Sequence, residues 1–202
     1  MMRRKEEGSV LLLTALSLPL LFAILAFGTD AVLAIEAKAS QESALQAVQE
    51  LRMAPAITLK AKNATDPGAV IAECVMTALR DEGYRGEIEV WFYEAGKADG
   101  LDDARKRLYA FEVVVEDRIP TAFARMFGIE SIPVASSFAS ASQPYAEHTV
   151  WKPTAPRCGV FRAEAGKPAS SRSFSAASLE AMPVGIREQI EGHLEQAGKD
   201  IR

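Results

Sequence analysis

Residues 9–28 read SVLLLTALSLPLLFAILAFG, a run of 20 residues without a charged side chain. A helix of about 20 apolar residues can cross the hydrocarbon core of a bilayer, which is roughly 30 Å thick. The basic segment Arg3–Lys5 precedes the run, and positive flanks favour the cytoplasmic side. The sequence therefore predicts a cytoplasmic tail over residues 1–8 and a transmembrane helix over residues 9–29, with the rest of the chain across the membrane.

Two other interpretations of this run compete with a permanent anchor. A cleavable signal peptide has an apolar region of about 7–15 residues and ends at a small-x-small site. The run here is longer, and the segment that follows it offers only an indifferent cleavage site. A core helix that is apolar on every side needs a large protein around it, whereas 202 residues make about one ordinary domain. We therefore expect an anchor, with the signal peptide and the core helix as alternatives.

The helical pattern continues beyond the apolar run. Residues 30–54 are rich in Ala, Leu, Glu, Gln and Lys and contain neither Gly nor Pro. One helix is expected from about Ser9 to about Arg52, and Pro19 should bend it or loosen its packing in mid-span. The outer part carries an apolar stripe that must rest on the protein's own sheet or on a neighbouring subunit. The stripe consists of Val32, Ile35, Ala39, Leu45, Val48 and Leu51.

Asp30 follows the apolar run directly. A charge at a membrane edge is costly unless it has a partner. Two surroundings are therefore expected for this carboxylate: a Lys or Arg of another subunit, or water at the edge of the helix.

Residues 55–145 predict an α+β domain with a small antiparallel sheet. Asp66 and Pro67 resemble the N-cap and first residue of a helix that reaches Gly83. A short helix is expected from Pro120 to Gly128. Runs rich in β-forming residues predict three strands, which are Glu87–Ala95, Leu108–Glu116 and Ser131–Ser142.

The first of these strands places Trp91 and Tyr93 on one face and Phe92 on the other. We expect one face to be core and the other to be a partner surface. The C-terminal extension, residues 146–202, is patterned more weakly. It predicts a strand over residues 148–152, a turn at 153–156, a loop at 167–178 and a helix that starts near Pro183.

Charge and residue types argue against several functions. A net charge of −4 and a pI near 5.4 give no basic face for nucleic acid. His148 and His193 are the bases for neutral pH, and a Cys158–His148 nucleophilic pair is less favoured than a surface histidine and a structural cysteine. The loop aspartates lack the EF-hand pattern; these are Asp99, Asp102 and Asp103. No catalytic residue, metal or cofactor is predicted, and the protein is not expected to be an enzyme.

The chain has two cysteines, Cys74 and Cys158. In an exported domain they could close a disulfide, and its long loop would contribute roughly 4–5 kcal/mol of stability in the chain-entropy treatment. The alternative is two buried thiols. Sequence alone does not show whether the two residues lie close together.

Residues 3–48 read RRKEEGSVLLLTALSLPLLFAILAFGTDAVLAIEAKASQESALQAV, and residues 110–142 read AFEVVVEDRIPTAFARMFGIESIPVASSFASAS. Both segments resemble the TadE/TadG-like proteins of the tight-adherence (Flp, type IVc) pilus system. The second segment is similar to the family's strand, Pro-Thr-x-Phe helix, Phe-Gly turn and closing small-residue strand. The first segment shows the family's order of basic residues, membrane-edge Gly, mid-span Pro, Asp and Gln/Ala-rich helix. Its elements here are Arg3, Arg4, Gly8, Pro19, Asp30 and Gln41.

This resemblance implies a pilin-like domain on a single-pass helix in the bacterial inner membrane, facing the periplasm or the cell exterior. It implies a minor pilin or pseudopilin-like component that assembles or initiates a pilus through helix packing. The expected partners are membrane lipid and other pilins or pilus-assembly proteins in a hetero-oligomer. The alternative is a tethered or secreted binding protein with no pilus role.

The resemblance also bears on whether a prepilin peptidase cleaves the chain. Prepilin peptidases cut after a Gly and favour Glu at the fifth mature position. Cleavage after Gly8 would make Ser9 the first residue and Leu13 the fifth. An uncleaved anchor is therefore expected, with cleavage after Gly8 as the alternative.

Overall fold

The computed structural model describes residues 3–52, 57, 60–61, 64–101, 108–142, 158–164, 170–173 and 178–199. The chain divides into two compact units. The first unit contains residues 1–39 and 117–134, and the second contains residues 40–116 and 135–202.

The first helix, α1, spans Arg3–Arg52. It ends where the sequence predicted and begins six residues before Ser9. Pro19 lies inside the helix; because proline has no N–H, the carbonyl of Ala15 has no helical donor at that position. Whether Pro19 also bends the helix or loosens its packing stays a prediction.

Two further helices belong to the second unit. α2 spans Pro67–Asp81, and the carboxylate of Asp66 caps it by accepting a hydrogen bond of 3.0 Å from Ala69 N–H. α3 spans Val184–Lys199, so it begins directly after Pro183. Both helix starts confirm the sequence prediction.

The strands form one five-stranded sheet in the order β3-β2-β1-β4-β5. β1 pairs antiparallel with β2 and with β4, and β4 pairs antiparallel with β5. The register places Phe92 of the first strand opposite Phe111 and Gly159. The strands are β1, Glu87–Glu94; β2, Tyr109–Pro120; β3, Ser131–Ser142; β4, Cys158–Ala163; and β5, Ser170–Ser173. Short 3-10 turns occur at Lys97–Asp99, Ala124–Phe127 and Leu179–Ala181.

Two sequence expectations for this sheet are corrected by the structure, and two of its strands were missed. β4 and β5 were not predicted, and β5 lies in the stretch 167–178 that was expected to be a loop. Its sequence is SSRS, which has no apolar alternation, so its pairing with β4 depends on the backbone. Pro120 ends β2 instead of starting a helix. The strand and turn expected at residues 148–156 lie outside the described residues.

Both faces of the sheet are covered. On one face, side chains from β1 and β2 pack against the outer part of α1 and against α2. On the other face, Tyr93 and partly buried Trp91 pack with Ile186 and Ile190 of α3. The Phe92 face and the Trp91–Tyr93 face of β1 are thus both core, so the expectation that one of them is a partner surface is wrong. The α+β class with a small antiparallel sheet is confirmed.

The disulfide considered for Cys74 and Cys158 is not formed. Cys74 lies on α2 beside Ile71 and Tyr109, whereas Cys158 is buried in the cluster on the α3 side of the sheet. A disulfide needs Cα atoms within about 7 Å, and the sheet stands between the two side chains. Burial raises the pKa of the Cys74 thiol, so this cysteine stays protonated at neutral pH.

Candidate functional site

The apolar part of α1 is exposed. Its most apolar stretch of 18 residues has a mean hydropathy of 2.6, and none of that stretch is buried. Among the residues that the structure describes, α1 is the one helix long and apolar enough to cross a membrane. The core-helix alternative is therefore wrong, since a core helix would be buried. A membrane anchor and a signal sequence share this length and composition.

The hydroxyl groups in this stretch bond to the helix itself. Thr14 Oγ1 donates to the carbonyl of Val10 at 2.8 Å, and Ser17 Oγ donates to the carbonyl of Thr14 at 3.2 Å. Thr29 Oγ1 donates to the carbonyl of Leu25 at 3.0 Å. A polar group in hydrocarbon needs an internal partner, so these side chains suit a lipid environment.

Asp30 is 2% exposed, and its carboxylate accepts hydrogen bonds from three consecutive backbone N–H groups. Ala122 N–H donates to Oδ1 at 2.8 Å. Phe123 N–H and Ala124 N–H donate to Oδ2 at 3.1 and 2.7 Å. Neither expected surrounding is observed: the carboxylate does not face water, and backbone amides of its own chain occupy it. Hydrogen bonds to a charged acceptor are about twice as strong as neutral ones.

These amides belong to the turn between β2 and β3, residues 121–130, which we call the tip. Thr121 N–H donates to the carbonyl of Glu130 at 3.0 Å and closes the turn. Gly128 has φ of 83°, a left-handed conformation that favours glycine. It ends the 3-10 turn, as the sequence predicted. The tip is therefore a defined turn that presents three N–H groups in one direction.

Apolar side chains of the tip lie against α1. The rings of Phe27 and Phe127 stack with centroids 5.6 Å apart and an interplanar angle of 24°. An open groove of about 450 Å³ runs between the tip and the helix. Its walls are Pro19, Phe22, Ala23, Leu25, Ala26 and Thr29 of α1 and Phe123, Met126 and Phe127 of the tip.

The pKa of Asp30 lies below its ordinary value. The hydrogen bond from Ala124 N–H lowers this pKa most, burial of the carboxylate raises it, and the bonds from Ala122 and Phe123 lower it further. Asp30 is therefore ionised at neutral pH, and within the described part of the chain its charge is compensated by backbone dipoles and not by a basic side chain.

The apolar stripe predicted for the outer part of α1 is not one surface. Val32 and Ile35 are 61% and 68% exposed, whereas Leu45 and Val48 are 4% and 1% exposed in the core of the second unit. The assembly face predicted from these four residues is thus corrected. Leu45 and Val48 are buried within the protein's own fold, whereas Val32 and Ile35 are exposed. Gln41, also fully buried, accepts a hydrogen bond of 2.9 Å from Ser136 Oγ.

The remaining predicted site residues do not come together. Gly8 lies within α1, and cleavage after it stays a prediction. His193 Nδ1 lies 3.0 Å from the carbonyl of Gln189, one turn earlier in α3. The carboxylate of Asp99 accepts hydrogen bonds from Tyr93 Oη and from Gly96 N–H. The other predicted residues of this group lie outside the described part of the chain: His148, Asp102 and Asp103.

Among the described residues, sequence reasoning missed two buried acids, Glu94 and Glu112. Glu112 of β2 is buried next to the first turn of α3. Burial raises the pKa of Glu112, while the N–H groups of Ile186 and Gly185 act against that rise. A Cβ on Gly185 would come within 2.6 Å of Glu112 Oε2, so glycine allows this close approach. Strand alternation could have identified the position, because Glu112 interrupts an otherwise apolar run.

Replacing Asp30→Asn should release the tip. The substitution keeps the side-chain size but removes the charge that strengthens the three hydrogen bonds. We expect the amides of residues 122–124 to exchange with solvent about tenfold faster or more, measured by hydrogen–deuterium exchange in detergent micelles. Glu36→Gln, an exposed acid on the same helix, is the matched control and should leave these amides unchanged. Equal protection in wild type and Asp30→Asn would refute the role of the carboxylate.

The stabilisation that Asp30 contributes should depend on pH only in acid. Its pKa in the folded protein lies below the unfolded value of about 3.9, so the stabilisation is complete above that value. It is lost as the pH falls through the folded pKa. We expect the Tm difference between wild type and Asp30→Asn to be constant near neutral pH and to shrink as the pH falls below about 3.9. Thermal unfolding across this range tests it, and a difference that persists undiminished in acid would contradict it.

The chain has no significant match among protein-family models, curated proteins or solved structures. Its function is therefore argued from its own residues. Three features carry the argument: the exposed apolar part of α1, the tip that Asp30 holds, and the outer part of α1 that is buried in the second unit.

Proposed function

We propose that this protein is a membrane-anchored, minor pilin-like or pseudopilin-like component that assembles or initiates a Tad-type pilus through helix packing. α1 anchors it in the bacterial inner membrane, and the α+β unit lies on the periplasmic side. The observation that carries the proposal is the split of one helix into an exposed apolar part and an outer part that belongs to the core of the second unit.

This arrangement suits assembly through the helix. The outer part of α1 contributes Leu45 and Val48 to a core, so it is held by its own fold. The apolar part is covered only where the tip lies against it, and its remaining surface can exchange lipid contacts for helix contacts at little net change in apolar burial. In lipid, helix association relies on close packing and hydrogen bonds because lipid tails are as apolar as leucine. A continuous apolar face on the helix is the feature that such packing requires.

Helix geometry defines which face is open. With 3.6 residues per turn, one set of residues lies about 120–200° around α1 from Asp30, away from the tip. All but the glycine are large apolar residues between 59% and 68% exposed, and a side chain on that glycine would meet nothing within 4 Å. We call this set the free face, and it consists of Leu21, Ile24, Gly28, Val32 and Ile35. Glycine on a membrane helix allows a neighbouring helix to approach closely.

The alternative is a tethered or secreted binding protein with no pilus role. Such a protein needs α1 only as an anchor or as a signal sequence, and its free face would then contact lipid alone or be removed. The two functions differ in what should contact the part of the free face that lies beyond the predicted span. Val32 and Ile35 lie past the end of residues 9–29 and are still exposed.

Photo-crosslinking from the free face tests the proposal. The photoreactive residue p-benzoylphenylalanine is placed at Ile35 of the full-length protein in its native envelope, and adducts are identified by mass spectrometry. We expect pilin-like subunits to be captured, because Ile35 is exposed and lies on the face available for packing. Lys38, exposed on the same helix but outside the free face, is the matched control position and should capture several-fold less.

Two outcomes would contradict assembly through this face. In one, Ile35 yields no protein adduct above the Lys38 level while the protein remains in the membrane, which leaves the tethered binding protein. In the other, the protein recovered from cells lacks α1 as far as Gly28, which identifies residues 9–28 as a cleaved signal sequence.

A further inference from the structure

We propose that the tip is a second membrane element, a wedge seated in the outer leaflet beside the transmembrane helix. Its apolar side chains contact phospholipid acyl chains, and Arg125 contacts the phosphate layer. This inference rests on the membrane anchoring in the proposed function, but not on pilus assembly.

The tip exposes an unusual number of large apolar side chains for a turn. Met126 is 83% exposed, and three neighbours are between 42% and 65% exposed. These are Phe123, Phe127 and Ile129. A cluster of this kind in water is a liability unless a partner or a membrane covers it.

The position of the tip along α1 identifies the partner as lipid. Phe127 stacks on Phe27, and the groove that the tip makes with the helix runs along Pro19–Thr29. That stretch is about 15 Å long at 1.5 Å per residue, which is half of a hydrocarbon core of roughly 30 Å. Any bilayer that takes up residues 9–29 therefore also reaches the tip. The groove opens beside a helix face that is itself apolar, so an acyl chain fits its chemistry.

Backbone N–H groups of the tip have hydrogen-bond acceptors within the protein, as a medium without water requires. Unsatisfied N–H groups are excluded from lipid, and turns usually expose several of them. Here Asp30 accepts from the N–H groups of residues 122–124. Other N–H groups of the tip donate to carbonyls within the tip, from Met126 to Phe123, from Gly128 to Arg125 and from Ile129 to Ala124. The carboxylate thus has a second role, since it supplies the acceptors that water would supply to an exposed turn.

Arg125 places a positive charge among these apolar side chains. It is exposed in the 3-10 turn between Ala124 and Met126. An arginine at this level can bury its apolar stem along the acyl chains and direct its guanidinium to the phosphates. Glu130, at the end of the tip, is exposed as well, but Arg125 is the charged residue that lies among the apolar side chains, as suits the phosphate layer of a membrane interface. A protein partner at the same surface is an outcome that the test below distinguishes.

Depth-dependent fluorescence quenching tests the inference. Full-length protein carrying Met126→Cys is labelled with bimane and reconstituted into vesicles of phosphatidylethanolamine and phosphatidylglycerol. Some of the lipid carries a nitroxide on the acyl chain near the headgroup. Labelling of Cys74 and Cys158 is measured on the wild-type protein and subtracted. Two comparison positions, Leu25→Cys within the helix and exposed Ser137→Cys on β3, define the lipid and water limits.

We expect quenching at Met126 to be comparable to that at Leu25 and several-fold above that at Ser137. If Leu25 is quenched and Met126 remains at the Ser137 level, the tip lies in water or against another protein. The inference is then overturned while the anchor stands. If Leu25 itself is not quenched, residues 9–28 lie outside lipid, and both the anchor and the wedge are overturned.

Discussion

The carboxylate of Asp30 and the three backbone amides that bind it are the interaction on which the first unit depends. A charged side chain directly after 20 apolar residues is costly at a membrane edge unless it has partners. The chain supplies them from a turn more than 90 residues away in sequence. This contact fixes the tip on α1 at the level where the predicted span ends, and backbone N–H groups donate to both carboxylate oxygens.

Different stretches of α1 are covered by different parts of the chain. Around Asp30 the tip covers one side and leaves the free face open. In the outer part, Leu45 and Val48 are buried with α2 and the sheet, and Gln41 is held by Ser136. One stretch of α1 is a core element, and in the proposed function other stretches serve as an anchor and as an assembly surface. That division is the physical reason why the proposed function relies on α1 more than on any pocket in the sheet.

Much of the fold could be predicted from the sequence because its signals are local. The end of α1, the cap at Asp66, the start of α3 and the extent of β3 follow from residue type and spacing. β5 could not be predicted, because an edge strand of sequence SSRS has no apolar alternation. Whether Cys74 and Cys158 form a disulfide could not be decided from the sequence either. The face of the sheet on which each cysteine lies is set by the tertiary fold.

The site was predicted less well than the fold. Val32 and Val48 are 16 residues apart, which places them about 160° apart around a helix of 3.6 residues per turn. One stripe through both was therefore a misreading of the period. Asp30 was singled out correctly, but its partners are backbone N–H groups, which carry no signature in the sequence. Phe123, Met126 and Phe127 looked like an ordinary short helix, and only the fold places them beside α1.

The central claim is that residues 9–28 remain attached and lie in the membrane. Its most direct test is the intact mass of the protein recovered from the membrane pellet after alkaline carbonate washing. The account predicts that the protein stays in the pellet with a mass of 21.8 kDa, or with that mass less residues 1–8 if Gly8 is a cleavage site. Recovery in the supernatant, either as the intact chain or as a species that has lost the apolar run, would contradict it.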